Sequence, residues 1–276
     1  MHPSHRRPAI GPGYAPGVLV LLPPSESKAP PPRRGRPVDL DRLSFPELTA
    51  ARLRLLAALV TASAGPDAAA RLGFGASLAA EVARNTRLAD VPALPVSTVY
   101  TGVLYDALDW AGLDDAARRR GVRRVVVTSA LWGALRPTDR VPPYRLSMGT
   151  DLPDVGPLAA AWRPVLGAAL TAAAGSRGVV VDCRSSVYAS AWTPSGALAA
   201  RTAAIRVLRD GPAGRTVVSH LAKHTRGEVA RHLLVTGADP RDVPGLAACL
   251  AERWDVETVA PPRPGRPWTL DVVLPA

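Results

Sequence analysis

Short, unbroken apolar runs alternate along this chain with longer stretches whose apolar residues recur at helical spacing. The first run, Val18–Leu22 (VLVLL), reads as a buried strand. Similar runs follow at Val96–Tyr100, Val125–Thr128, Val179–Cys183, Thr216–Ser219 and Leu270–Leu274. Between them, Leu48, Leu55, Leu56 and Leu59 mark one face of a helix with Pro46 near its first turn. Helical patterns are also predicted over Val103–Trp110, Asp114–Arg120, Leu158–Ala174, His224–Val235 and Val243–Trp254. Strands interleaved with helices predict an α/β fold (α+β mixed) with a mixed sheet and flanking helices. No internal repeat or composition break divides residues 18–276, so they are read as a single domain. Met1–Gly17, rich in Pro, Gly, His and Arg, is read as a disordered basic tail.

The stretch from about residue 67 to 88 has a pattern of its own. Asp67 is a plausible cap for a short helix to about Leu72, Gly73-Phe74-Gly75 interrupts, and a second helix runs from about Ala76 to Leu88. The form Gly-hydrophobic-Gly followed by Ala and Val at Gly73–Val82 is that of a helix-hairpin-helix, whose glycines permit a tight turn against a nucleic-acid backbone. Free amides at the following helix start, with Ser77, then face a phosphate. Such contacts hold a duplex without reading its sequence. An ordinary glycine-capped αα-corner gives the same pattern.

Composition narrows the partner. Of 276 residues, 47% are hydrophobic and mean hydropathy is +0.07, with Phe numbering only 2, so the core is expected to be Leu, Val and Ala. No apolar run reaches the roughly 18 to 20 residues of a membrane span, and Val18–Leu22 is too short for a signal-peptide core; the expected location is the cytoplasm, with no membrane partner. Cys183 and Cys249 lie far apart with no histidine at ligand spacing, which gives neither a zinc site nor a disulfide framework. The net charge is +11 and the sequence pI about 10.8, a balance that attracts polyanions. Of the 34 basic residues, 32 are arginine; only Lys28 and Lys223 are lysine.

Those lysines fall in segments that leave apolar runs. Pro23–Arg36 (PPSESKAPPPRRGR) is a long loop after the first strand, carrying Ser25, Ser27 and Lys28. Ligands gather beyond the carboxyl ends of strands in open α/β sheets, and Lys28 suits a phosphate as a mobile charge; the P-loop glycine spacing is absent. Ser129–Leu152 is braced by prolines and presents Arg136, Asp139, Tyr144 and Arg145; Arg136 and Asp139 read equally well as a structural pair. Arg184, Ser185, Ser186 and Tyr188 follow the Val179 run, and His220, Lys223, His224 and Arg226 follow the Thr216 run. His220 and His224 are four apart but lack a third ligand, so no metal is expected. No nucleophile–base set assembles with specificity.

Together, LLPPSESK (Leu21–Lys28), VYTGVLYDAL (Val99–Leu108), SALWGALRPTDRVPPYRLSMG (Ser129–Gly149), VVVDCRSSVYASAW (Val179–Trp192) and HLAKHTRGEVARHLL (His220–Leu234) resemble the YaaA-type peroxide-stress protein family, in its actinobacterial form. The resemblance implies an α/β domain with a basic cleft and a helix-hairpin-helix. It also implies binding of double-stranded DNA and a role in limiting oxidative DNA damage and free intracellular iron. It places Lys28, Arg136, Tyr144, Arg145, Lys223 and Arg226 along the cleft. Ser27 stands where that branch usually has glycine, and Pro261–Pro267 replaces a more acidic stretch.

Two functions are therefore carried forward. The first is a sequence-nonspecific DNA-binding protein, using Ser25, Lys28, Gly73, Gly75, Ser77, Arg136, Tyr144, Arg145, Arg184, Lys223 and Arg226 on DNA or phosphate. The second is an enzyme acting on a nucleotide, a nucleobase or another phosphorylated small molecule in the same cleft, with Lys28, Asp139 and Lys223 as the catalytic candidates. No cofactor is called for, and a monomer is expected.

Overall fold

The computed structural model describes residues 17–212 and 214–276; the predicted basic tail, apart from Gly17, lies outside them. In chain order the strands are β1 (Val18–Leu22), β2 (Leu94–Pro95), β3 (Val125–Ser129), β4 (Gly133–Leu135), β5 (Arg140–Val141), β6 (Asp151–Leu152), β7 (Gly156–Pro157), β8 (Val179–Asp182), β9 (Thr202–Arg209), β10 (Thr216–Val217), β11 (Asp255–Val259) and β12 (Trp268–Leu274). The helices are α1 (Thr49–Ala62), α2 (Ala68–Arg71), α3 (Ala79–Arg84), α4 (Val96–Val99), α5 (Val103–Leu108), α6 (Asp115–Arg124), α7 (Leu158–Ala174), α8 (Ser186–Ala189), α9 (Gly196–Ala200), α10 (Ser219–Thr236) and α11 (Val243–Ala251).

Eight strands form one mixed sheet in the order β11-β12-β9-β8-β1-β3-β4, with β10 paired to β9. β12, β9, β8, β1 and β3 are parallel, whereas β11, β10 and β4 run against their neighbours. Every residue of β1, β3 and β8 is buried. Parallel strands covered on both faces need continuous apolar runs, which is why VLVLL and its counterparts are legible. β9 instead alternates, burying Ala203, Ile205 and Val207; its alanines weaken the apolar contrast, and the sequence reading passed over it.

The order of the parallel strands reverses at β1. The chain passes from β1 to β3 on one side, then from β3 to β8 on the other, and from β8 on to β9. The loops leaving β1 and β8 therefore diverge and leave a crevice at their carboxyl ends, where open α/β sheets bind ligands.

Two predicted strands are corrected. Val96–Val99 is a single helical turn, because Val96 and Val99, three apart, are both buried and the amides of Val96 and Ser97 donate to Asp139 O and Pro137 O. A short β-branched run fits either periodicity until its tertiary partners are known. In the Thr216 run only Thr216–Val217 forms strand, an exposed edge, and Ser219 already opens α10. His220 and His224 thus share a helix, yet no group of three metal-capable side chains exists among the described residues. Asp114 caps α6 by accepting from Ala117 N at 2.7 Å, and that helix continues to Arg124. Among the described residues, no helix is long and apolar enough to cross a membrane.

Arg52 of α1 is fully buried and ties the turn between β3 and β4 to the domain. Its Nε donates to Trp132 O at 3.0 Å, and its Nη2 to Ser44 O at 2.7 Å and Ala134 O at 2.9 Å. An apolar replacement leaves those carbonyls without a donor in a dry interior. Arg52→Leu is expected to lower unfolding stability by about 3 kcal/mol or more, read as the shift in urea midpoint; a change within about 0.5 kcal/mol refutes this role.

Candidate functional site

The Pro23–Arg36 loop leaves the carboxyl end of β1 and is held in place by backbone pairing. Ala29 N donates to Val99 O at 2.9 Å and Thr101 N to Ser27 O at 3.2 Å, with Lys28 and Tyr100 as bridge partners. Residues directly opposite in such a bridge put their side chains on the same face. Lys28 Nζ accordingly lies 5.6 Å from the Tyr100 ring centroid and 4.4 Å from that of Tyr144, and donates to Ser25 O at 2.8 Å. Ser27 fits without a left-handed backbone, so serine in place of glycine costs this loop no strain.

Beneath the amine is a chain of hydroxyls. Tyr100 and Tyr144 share a hydrogen bond of 3.1 Å between their phenols, and Tyr144 shares one of 2.7 Å with Ser129 Oγ. Ser129 ends β3 and also accepts from Trp132 N. Tyr105 stacks on Tyr100 at 5.4 Å and donates to Pro23 O. Tyr188, from α8 after β8, is buried, with the Met148 backbone against its hydroxyl. Loops from β1, β3 and β8 thus meet at the crevice.

Burial lowers the Lys28 ammonium from its ordinary value to about 8, with Glu26 and Glu81 pulling it up and Arg145 pushing it further down. Burial also raises the phenols: Tyr100 to about 12, and Tyr105, Tyr144 and Tyr188 well above their usual range. The tyrosines are therefore neutral hydroxyls at physiological pH, and the amine is the group that titrates nearest to it.

A cavity of about 150 Å³ opens beside Lys28, lined also by Glu26, Glu81, Arg84, Tyr144 and Arg145. Arg145 stacks its guanidinium on Phe74 at 5.0 Å and reaches Glu26 and Glu81 at 3.4 Å each. Its backbone is clasped twice by Asn85, which donates to Arg145 O at 2.8 Å and accepts from Arg145 N at 2.9 Å. A wider cleft of about 540 Å³ continues past Arg145 to Arg71, Gly73 and Thr150. It runs along the hairpin of α2 and α3, where Gly73 turns the chain at φ +75° while Gly75 takes an ordinary φ of −67°. Gly73, Gly75 and Ser77 are all exposed.

The other sequence candidates sit elsewhere. β4 folds back along β3, so the Arg136–Asp139 turn lies toward the amino end of β3. Arg136 Nη1 donates to Arg123 O at 2.8 Å and Val125 O at 3.2 Å, and Asp139 accepts from Arg136 N and from the amide and hydroxyl of Ser44. Burial lowers Arg136 to about 10 and raises Asp139; the geometry is that of a loop staple, and neither residue touches Lys28. Arg184 is enclosed, paired with Asp182 through bonds of 2.8 and 2.7 Å, and donates to Trp192 O; it fixes the turn that carries Tyr188. Arg226 donates to Ile205 O and so ties α10 to β9. Lys223 is exposed on α10 and makes no hydrogen bond or ion pair among the described residues. Pro261–Pro267 lies in the hairpin loop between β11 and β12, at the sheet's far edge.

Sequence reasoning, through the family resemblance, put Lys28, Tyr144 and Arg145 on one cleft with Arg136, Lys223 and Arg226, and of these the Lys28 cavity is lined by the first three alone. It missed Tyr100, Ser129, Glu81 and Asn85 as partners. Tyr100 was hidden by the strand reading of its segment, and Asn85 and Glu81 by their place in an Ala-rich helix.

A mixed α/β domain with charged loops converging at the carboxyl ends of its central parallel strands defines the class. The sequence profile described as "Peroxide stress protein YaaA" matches residues 18–257, and the chain belongs to that family. A UPF0246 protein of Streptomyces coelicolor is 50% identical over 260 residues, covering 93% of this chain and 98% of the relative. Another, from Corynebacterium efficiens, is 40% identical over 82% of this chain and 87% of its own length. A third, from Cereibacter sphaeroides, is 30% identical over 84% and 92%.

The depressed amine makes a pH prediction. Between about pH 8 and the ordinary lysine value of 10.5 the folded state binds fewer protons at Lys28 than the unfolded state, so this group's contribution to stability rises with pH there. Lys28→Met removes that dependence. Its melting temperature relative to wild type is expected to be highest near pH 7 and to fall steadily toward pH 10, measured by thermal unfolding across that range; a constant difference contradicts the buried-amine assignment.

Proposed function

We propose that this member of the peroxide stress family holds double-stranded DNA, without strong sequence preference, on the surface formed by the Pro23–Arg36 loop and the α2–α3 hairpin, and thereby limits oxidative damage to the duplex. The observation that carries the reading is a set of uncommitted arginines. Arg33, Arg34, Arg36, Arg84 and Arg87 are exposed, and among the described residues none makes a side-chain hydrogen bond or ion pair. Their two segments adjoin: Ala93 N donates to Arg36 O at 2.9 Å, and Gly35 packs against Pro92. Arg52, Arg136, Arg184 and Arg226, in contrast, are consumed inside the fold. Free guanidiniums are what phosphate contacts require, and one of them, Arg84, lines the Lys28 cavity.

Duplex affinity measured across salt concentrations tests this. If six or more phosphates are contacted, affinity falls about a thousandfold or more between 50 and 200 mM salt. Arg84→Ala/Arg87→Ala is expected to reduce the magnitude of the log–log salt slope by about 2. Absence of duplex binding at low salt, with a nucleotide instead raising the melting temperature strongly, would overturn the reading in favour of a nucleotide enzyme. Gly73→Ala places a side chain in the left-handed region, costing about 1 kcal/mol or more, and is expected to weaken the duplex several-fold; unchanged affinity removes the hairpin from the interface.

A further inference from the structure

The Lys28 cavity contains more than a phosphate clamp needs. Glu26 and Glu81 line it alongside the amine together with Arg84 and Arg145, and both carboxylates lie 3.4 Å from Arg145, so these charges are largely spent on one another. A neutral group asks nothing further of them. At about 150 Å³ the space matches an engineered cavity of similar size that takes a benzene-sized ring, so a five-carbon sugar or similar group fits. Aromatic faces surround the amine, the buried hydroxyl chain Tyr100–Tyr144–Ser129 lies beneath it, and the buried Tyr188 belongs to the same cluster. Arg84, at the rim, joins this cavity to the row of free arginines.

We propose that Lys28 is a nucleophilic amine that forms an imine with an aldehyde-bearing sugar, the substrate being the ring-opened deoxyribose of an abasic site in duplex DNA. The choice of a duplex rests on the DNA reading above; the reactive amine does not. An uncharged aldehyde enters past the carboxylates while its flanking phosphates remain outside on Arg84 and its neighbours. The ammonium first passes a proton through solvent in the cavity to Glu26 or Glu81, which line it but lie beyond ion-pair distance of Nζ. The Nζ lone pair then attacks the carbonyl carbon, forming a C–N bond as the C=O π electrons move to oxygen. Protons from the attacking nitrogen and the carboxylate leave with that oxygen as water, and the nitrogen lone pair completes the C=N bond. Amine and aldehyde give imine and water, with no oxidant or reductant. Lysines desolvated or set next to another cationic group are activated for this chemistry, and burial with Arg145 nearby lowers Lys28. The groups facing the amine are Glu26 on its own loop, Glu81 and Arg84 on α3, Tyr100, and Tyr144 with Arg145.

With only two lysines in the chain, the test is unusually clean. The full-length protein is incubated with abasic-site duplex, intact duplex, or free 2-deoxyribose 5-phosphate, reduced with cyanoborohydride, and its adducts are mapped by peptide mass. Wild type and Lys223→Arg are expected to give a stable adduct at Lys28 with the abasic duplex and with the free sugar, and none with intact duplex. Yield should rise as pH passes through about 8. Lys28→Arg, which keeps the charge, should lose at least nine-tenths of the adduct; Lys28→Met, confirmed folded by its melting curve, should lose the adduct as well. Abasic duplex bound without any adduct, or an adduct at Lys223 or the terminal amine alone, overturns the imine and leaves the DNA reading intact. Adduct with the free sugar but no binding of any duplex overturns the DNA reading and the abasic substrate, and leaves the reactive amine.

Discussion

Everything at the proposed site depends on β1 being hydrogen-bonded on both sides, to β8 and to β3, in the same direction. A central parallel strand buried on both faces has no freedom to tilt, and the chain must leave it at one end. Because the connections diverge at β1, the loops after β1 and β8 leave a crevice between them. Lys28 and Tyr188 sit on those two loops, and Ser129 closes the neighbouring strand. The aromatic and hydroxyl surroundings of the amine follow from that topology.

Charge is divided by burial. Arg52, Arg136, Arg184 and Arg226 satisfy carbonyls or Asp182 within the fold, and each is costly to leave unpaired. The arginines of the β1 loop and of α3 face outward with nothing to satisfy. A net charge of +11 therefore understates the contrast between a spent set and an available set. That contrast, rather than total charge, is what the proposed duplex-binding role rests on.

Legibility from sequence followed the physics of each signal. VLVLL followed by PPSESK announces a buried strand and the loop at its end, because continuous apolar runs and prolines have few alternatives. The family resemblance put Tyr144 and Arg145 on one cleft with Lys28, and the three line one cavity. It put Arg136 there as well, because nothing in RPTD reveals that β4 has already carried the chain back along β3; the alternative reading of Arg136 and Asp139 as a structural pair is the one the geometry fits. VSTVY resembles a strand until the carbonyls of Pro137 and Asp139 take up its amides, so Tyr100 was lost as a partner of Lys28. β9 was passed over because alanine contributes little contrast to its alternation.

The double clasp between Asn85 and the Arg145 backbone has a mechanical meaning. Asn85 follows α3 directly, and Arg145 follows Tyr144, whose ring covers the Lys28 amine. The hairpin and the aromatic wall of the cavity are thus joined by a short, stiff strut. Displacing the hairpin would break those two hydrogen bonds or shift the backbone that carries Tyr144, so the two surfaces share one anchoring point.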